Sequence, residues 1–122
     1  MARVKQTYRV LNTSRNAVLA ERSGRASTFL TRGAGLTLRK SLPESGGLII
    51  EPCASVGTFL MRFRIDVLFV SDEGEVMHLV HAMPPWRASK YVRKSHLVIE
   101  LPAGTLEKTG TETGDHIEIS SA

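Results

Sequence analysis

The sequence predicts a mainly β fold, a sandwich, jelly roll or barrel-like sheet of about seven strands with one or two short helices. Two observations support this prediction. Short runs rich in β-branched and aromatic residues alternate with glycine, proline and aspartate, which is typical of strands joined by turns. The chain has 122 residues, 42% of them apolar, which suits one hydrophobic core better than two. We therefore expect a single domain over residues 1–122.

The elements of the first half follow from local composition. A glycine pair and several β-rich runs set most of the boundaries. The predicted elements are a strand over 4–11 (or a basic arm over 1–14), a weaker strand over 17–22, a short helix near 29–36, a loop over 43–47 that Gly46-Gly47 closes, and a strand over 48–50.

The second half gives the clearest β signal. Residues 58–63 lead into the apolar run 65–70, and Asp72-Glu73-Gly74 turns the chain into a returning strand at 75–80. Both faces of 67–70 are apolar, so we expect that strand to be central and covered on both sides. An irregular basic loop then precedes the remaining elements: a strand over 96–101, one helical turn over 105–109 that stops at Gly110, and a closing strand over 116–119.

Charge is spread unevenly along the chain, whose net charge is +4. Residues 1–40 hold nine basic residues and one acid, whereas residues 41–80 hold two basic residues and six acids. The pattern suits either an anionic partner or a solvated face. Cys53 is the single cysteine, so no disulfide forms within the chain. The first eight residues lack an apolar signal core and no run is long enough to span a membrane, so we expect a cytoplasmic protein.

The histidines and the cysteine do not form a recognisable catalytic or metal motif. His78 and His81 are three apart on a predicted strand and so face opposite sides of the sheet. Cys53 lacks a local histidine partner and reads as a small buried thiol. We therefore expect no metal and no cofactor.

Asp66 is the one charge within the apolar run 65–70. A carboxylate in a buried strand must be paired or hydrogen-bonded. Arg62 and Arg64 lie on the same strand parity, so an Arg–Asp pair is one expectation. Such a pair would either hold the fold together or line a pocket.

Trp86 and Arg87 open a segment that mixes aromatic and basic residues. Lys90, Tyr91 and two further cations follow within seven residues. Such a loop suits stacking on a base or sugar and neutralising phosphates. The alternative is that Trp86 packs over the sheet end while the cations are solvated.

Four stretches of the chain form a recognisable set: L-I-I-E-P-C at 48–53, S-V-G-T-F-L-M-R-F-R-I-D-V-L-F at 55–69, P-W-R at 85–87 and E-L-P-A-G at 100–104. Together they resemble the bacterial and archaeal family known as domain of unknown function 192. The match covers residues 17–119, and the resemblance implies a compact β fold and no particular reaction. Gly57 stands where the family commonly has histidine, and Arg64 stands where proline is usual.

Three functions are compatible with these patterns. The favoured one is a non-enzymatic binding or interaction module for an unidentified ligand or protein partner, with a surface or pocket near Arg62, Asp66, Trp86 and Arg87. The second is a small enzyme with Asp66 as general base and Arg62 steadying an anion. The third is nucleic-acid binding through the basic first third and the loop at 86–94.

Overall fold

The computed structural model describes residues 6–27, 46–58 and 61–122. Seven strands form one sheet in the order β5-β4-β6-β3-β2-β1-β7, and the sheet curls into a half-barrel. This confirms the predicted fold class; the helix expected near 29–36 lies outside the described residues. The strands are β1 (Tyr8–Asn12), β2 (Ala17–Ser27), β3 (Gly46–Glu51), β4 (Ile65–Val70), β5 (Val76–Met83), β6 (Leu97–Pro102) and β7 (Ile117–Ser121), and the helix of the described part is α1 (Thr105–Thr109).

The strand pairs are antiparallel except β2 with β3, which run parallel. The two edge strands meet at one end of the curl, where Glu75 and His116 form a bridge. Two hydrogen bonds reinforce it: the Ile117 N–H donates to the Gly74 carbonyl at 2.7 Å, and the Val76 N–H donates to the Asp115 carbonyl at 2.8 Å. The sheet is therefore closed at that end.

The central strands β3, β4 and β6 are buried on both faces. Ile49, Leu68 and Ile99 face the inside of the curl, where they pack with β1, β2, β7 and α1. Residues of the opposite parity, such as Phe69 and Val98, pack under the outer covering segments. Every residue of β4 is buried, which confirms the expectation of a central strand covered on both sides.

Tertiary pairing overrides the sequence pattern at two places. Gly46 and Gly47 lie inside β3 rather than closing a loop, and β2 continues to Ser27 through Gly24 because it pairs with β3. In the segment expected to be a strand over 58–63, the described residues lie outside any strand. Met61, from that segment, instead packs in the core on the outer face of the sheet.

The predicted turn at Gly74 and the predicted helix end at Gly110 are confirmed. Gly74 has a φ of 88°, as the turn between β4 and β5 requires. Gly110 ends α1 with a φ of 72° and donates its N–H to the Glu107 carbonyl at 3.2 Å. The sequence signals at these two glycines therefore identified real chain reversals.

Candidate functional site

A buried threonine holds the turn formed by Pro84, Pro85, Trp86 and Arg87. The Thr58 hydroxyl donates to the Pro84 carbonyl at 2.7 Å and accepts the Arg87 N–H at 2.9 Å. Backbone bonds run both ways as well, from the Thr58 N–H to the Arg87 carbonyl at 2.8 Å and from the Trp86 N–H to the Thr58 carbonyl at 2.9 Å. Thr58 itself is fully buried. Hydrogen bonds to one buried residue, Thr58, therefore fix the backbone of the turn.

Trp86 sits in this turn in an unfavourable backbone conformation. Its φ is 62°, in the left-handed region that bulky side chains avoid, at a cost of about 1–3 kcal/mol. The hydrogen bonds to Thr58 offset this cost. The side chain is nevertheless 56% exposed rather than packed over the sheet end. The structure therefore presents an indole ring to solvent from a fixed backbone.

The rest of this segment is also tied down. The Ser89 N–H donates to the Val56 carbonyl, and the Val56 N–H returns a bond to the Ser89 hydroxyl, both at 2.9 Å. The Val92 N–H donates to the Ala54 carbonyl at 2.8 Å, and its side chain is buried in the outer core. Between these anchors Tyr91 is 70% exposed. We call residues 84–94 the aromatic–basic loop.

The aromatic–basic loop carries only positive charge. It holds four cations and no acid, and all four cations are exposed. Burial, and then the charge of Lys90, lower the pKa of His78 on β5. The loop therefore offers an anion two aromatic rings and several guanidinium and ammonium groups. The cations are Arg87, Lys90, Arg93 and Lys94.

Asp66 is buried, as expected, but its hydrogen bonds differ from the expected arginine pair. One carboxylate oxygen accepts the Ala82 N–H and the other accepts the Leu106 N–H, both at 2.8 Å. Arg64 reaches the same region by donating to the Ala82 carbonyl at 3.1 Å. Asp66 therefore joins β4, an irregular point of β5 and the start of α1 from within the curl.

Arg62 lies on the segment that starts at Thr58. The Met61 N–H donates to the Thr58 carbonyl at 3.3 Å, and the Arg62 side chain that follows is exposed. The structure thus ties Trp86 and Arg87 to Thr58 and places Arg62 a few residues along the chain. Asp66 is on the inner side of the sheet and acts on this region only through Ala82, two residues before Pro84.

Sequence reasoning missed Thr58 as the anchor of the site. Its partners lie 26 and 29 residues away, so local spacing carries no signal for them. The one pointer was its place within the family-like stretch at 55–69. The described residues contain no group of three or more histidine, cysteine, aspartate or glutamate side chains that could hold a metal ion. Within the same ranges no helix has the length and apolar character needed to cross a membrane.

Solved structures share this fold. A crystal structure of a protein of unknown function from Novosphingobium aromaticivorans has a TM-score of 0.77 and 24% identity, covering 92% of this chain and 83% of that one. The crystal structure of a "putative transcription regulator" from Sinorhizobium meliloti has a TM-score of 0.75 and 20% identity, covering 96% of this chain and 97% of that one. At these identities the likeness concerns the fold alone.

Two curated sequence relatives come from archaea. A UPF0127 protein from Pyrococcus furiosus is 34% identical over 98 residues, which cover 76% of this chain and 82% of that protein. A UPF0127 protein from Thermococcus sibiricus is 32% identical over 115 residues, which cover 89% and 73% respectively. Residues 10–119 match the family described as "DUF192: Uncharacterized ACR", so the match begins within β1 and includes the whole described site. The chain therefore belongs to the DUF192 family.

Proposed function

We propose that the protein is a small binding module whose ligand stacks on Trp86 and pairs with Arg87. One observation carries the proposal: an indole ring that is 56% exposed sits on a backbone at a φ of 62° that buried hydrogen bonds maintain. Residues held in such conformations against strain cluster at binding and active sites.

The charges beside the ring indicate the class of ligand. The aromatic–basic loop contains four cations and no acid, so its field favours an anion. A flat ring or a sugar face suits the indole, and a phosphate or carboxylate suits the guanidinium of Arg87. We therefore propose an anionic ligand with a planar or saccharide portion. Arg62, exposed on the neighbouring segment, is a further contact for its charge.

In this proposal Asp66 positions the site and does not touch the ligand. Its carboxylate fixes Ala82 at 2.8 Å, and the chain enters the Pro84-Pro85 turn two residues later. The same contacts work against the general-base alternative. Asp66 is fully buried, and each of its oxygens already accepts a backbone N–H. A base must instead direct a lone pair at its substrate.

Intrinsic fluorescence tests the proposal directly because Trp86 is the single tryptophan of the chain. The protein is titrated with a nucleoside monophosphate, an acidic oligosaccharide, an acidic peptide and a short oligonucleotide. We expect one class to change the emission of Trp86 in a saturable way. Arg87→Ala should weaken that ligand about tenfold, the loss of a charged hydrogen-bond partner.

A matched control separates the site from the general charge of the protein. Lys108→Ala removes an exposed cation on α1, away from the loop, and should leave the affinity unchanged. Ligand binding by the tryptophan variants is measured by calorimetry. Trp86→Phe should retain part of the affinity, and Trp86→Ala should lose it while its unfolding midpoint stays similar to that of the parent protein. If Trp86→Ala binds as tightly as the parent protein, the proposed surface is wrong.

Single-stranded nucleic acid is the second candidate, favoured by Tyr91. A second ring at 70% exposure on the same cationic loop suits successive bases that stack while their phosphates are neutralised. Binding of a labelled oligonucleotide should then fall steeply with salt, with a log–log slope of about −0.7 for each phosphate neutralised. No binding at low salt would exclude this candidate. The cytoplasmic location expected from the sequence stays a prediction that fractionation of the native cell would test.

A further inference from the structure

A second polar cluster lies at the end of β3, apart from the aromatic–basic loop. Glu51, the last residue of β3, holds His96 and Arg25 with its two carboxylate oxygens. The distance from Glu51 Oε2 to His96 Nε2 is 2.7 Å, and the other oxygen, Oε1, pairs with the Arg25 guanidinium. These residues are 26 and 45 positions from Glu51, so nothing in the sequence joined them.

The backbone around His96 is fixed on both sides. Its N–H donates to the Val70 carbonyl at 2.8 Å, and its carbonyl accepts the Cys53 N–H at 2.9 Å. The contact of Nε2 with the Glu51 carboxylate fixes the orientation of the ring as well. The position of His96 beside Glu51 is therefore set by both its backbone and its side chain.

This cluster opens onto a cavity of about 200 Å³. One part of its wall is apolar, and the polar part includes two carboxylates, Glu51 and Asp72, beside His96. None of residues 84–94 lines it. An apolar protein cavity of about 150 Å³ accommodates benzene, so this space suits a ligand of about six to eight non-hydrogen atoms. The apolar wall consists of Val70, Leu97, Ile117 and Ile119.

We propose that this cavity binds a small organic cation, a primary ammonium group on a hydrocarbon body. The ammonium has three N–H donors and no acceptor, and the polar wall offers the carboxylates of Glu51 and Asp72 as acceptors. Among the described residues no lysine or arginine lines the cavity, and the Arg25 guanidinium pairs with Oε1 of Glu51. The hydrocarbon body contacts the branched aliphatic wall. The inference does not depend on the function proposed for Trp86.

Amide NMR spectra of the full chain titrated with benzylammonium at physiological salt test the proposal. We expect saturable shifts at the amides of Val70, Leu97, Ile117 and Ile119. Benzyl alcohol has the same shape without charge, and benzoate carries the opposite charge, so both should bind much more weakly. Equal binding of all three, shifts confined to other regions, or no shift at millimolar benzylammonium would overturn the proposal.

Two carboxylates of one turn provide matched variants. Asp72→Asn removes a carboxylate that lines the cavity and should weaken benzylammonium about threefold to fivefold, as for an exposed ion pair. Glu73→Gln removes an exposed carboxylate next to it that does not line the cavity and should leave the affinity unchanged. Equal effects of the two variants would show a general charge effect and contradict the site. Glu51→Gln should weaken binding as well, with the spectrum confirming that the variant is folded.

Discussion

At the scale of single residues, Thr58 has the clearest role, because one buried side chain fixes a strained turn 26 to 29 residues away. Its hydroxyl both donates and accepts, which an apolar replacement of similar shape cannot do. A buried N–H or carbonyl left without a partner costs more than the bond itself contributes. Thr58 should therefore control both stability and the presentation of Trp86.

The substitution Thr58→Val tests this role. We expect the free energy of unfolding to fall by about 1–3 kcal/mol, because the Arg87 N–H and the Pro84 carbonyl lose their hydroxyl partner. Denaturant titration followed by circular dichroism measures the change. Thr13→Val is the matched control, since that hydroxyl makes one exposed bond to the His116 carbonyl at 3.2 Å and should matter little. Equal losses in the two variants would contradict the role.

Asp115 links stability to acid pH. Burial raises the pKa of this carboxyl, but hydrogen bonds from Arg15, Asn12 and the Glu112 N–H outweigh it and lower the pKa from 3.8 to about 2. A carboxyl whose pKa is lower in the folded than in the unfolded protein stabilises the fold at pH values above its unfolded-state pKa. That stabilisation is lost as the pH falls through its folded-state pKa. The contribution of Asp115 should therefore be complete above pH 4 and vanish towards pH 2.

Denaturation at several pH values between 6 and 2 measures this dependence. Asp115→Asn should flatten the loss of stability between about pH 4 and pH 2 relative to the parent protein. Glu118→Gln removes an exposed carboxylate on the adjacent strand and should leave the profile unchanged. Parallel profiles for the parent protein and Asp115→Asn would show that the carboxyl has no such role.

At the scale of elements, β3 depends on a close approach that only glycine permits. A Cβ at Gly47 would lie 2.4 Å from the Glu100 carbonyl oxygen on β6, which is closer than any real contact. At Gly24, in the paired strand β2, the nearest atom would be 3.5 Å away, an ordinary contact. The two glycines therefore offer a matched pair.

Gly47→Ala should destabilise the protein by about 1–3 kcal/mol or more, because β3 and β6 must separate to admit the methyl group. Gly24→Ala should be neutral or slightly stabilising, since alanine restricts the unfolded chain. Unfolding midpoints in denaturant measure both. A Gly47→Ala protein as stable as Gly24→Ala would mean that the spacing between these strands is wider than described.

The elements also show how far the sequence could predict the structure. Strands β4 and β6 and the two turn glycines were predictable because short apolar runs bounded by turn residues, and glycines where a positive φ is needed, leave local signals. The length of β2 and the place of Gly47 within β3 were not, because parallel pairing with a distant strand decides them. The same holds for the candidate site. Trp86 and Arg87 were predictable because an aromatic and a basic residue are adjacent in the sequence, whereas the role of Thr58 was visible only in the tertiary structure.

At the scale of the whole molecule, the contact between β5 and β7 turns an open sheet into a half-barrel. Val76 is fully buried and Ile117 is nearly fully buried. Backbone hydrogen bonds from the Ile117 N–H to the Gly74 carbonyl and from the Val76 N–H to the Asp115 carbonyl, 2.7 and 2.8 Å long, link the two edge strands. The buried side chain of Asn12 supports this end by donating to Thr111 and Asp115, both at 3.0 Å. The closure should therefore open only with global unfolding.

Native-state hydrogen exchange tests this expectation. The Val76 and Ile117 amides should exchange with a free energy of opening close to that of the amides of β6 at the centre of the sheet. The exposed residue Ser120 serves as the local comparison and should exchange faster. Exchange of Val76 and Ile117 at the rate of Ser120 would show that the end opens on its own.

The irregular edge of β5 has a consequence for the protein in a crowded solution. An edge strand with regular spacing is a template for a strand of another molecule, which is how aggregation begins. Here the pairing of β5 with β4 shifts register twice, Ala82 has a φ of 47°, and Pro84-Pro85 follows the strand. Proline lacks the N–H that an incoming strand would need, and the irregularities bend the edge away from it. The features that expose Trp86 to solvent therefore also protect the sheet from adding strands of other molecules.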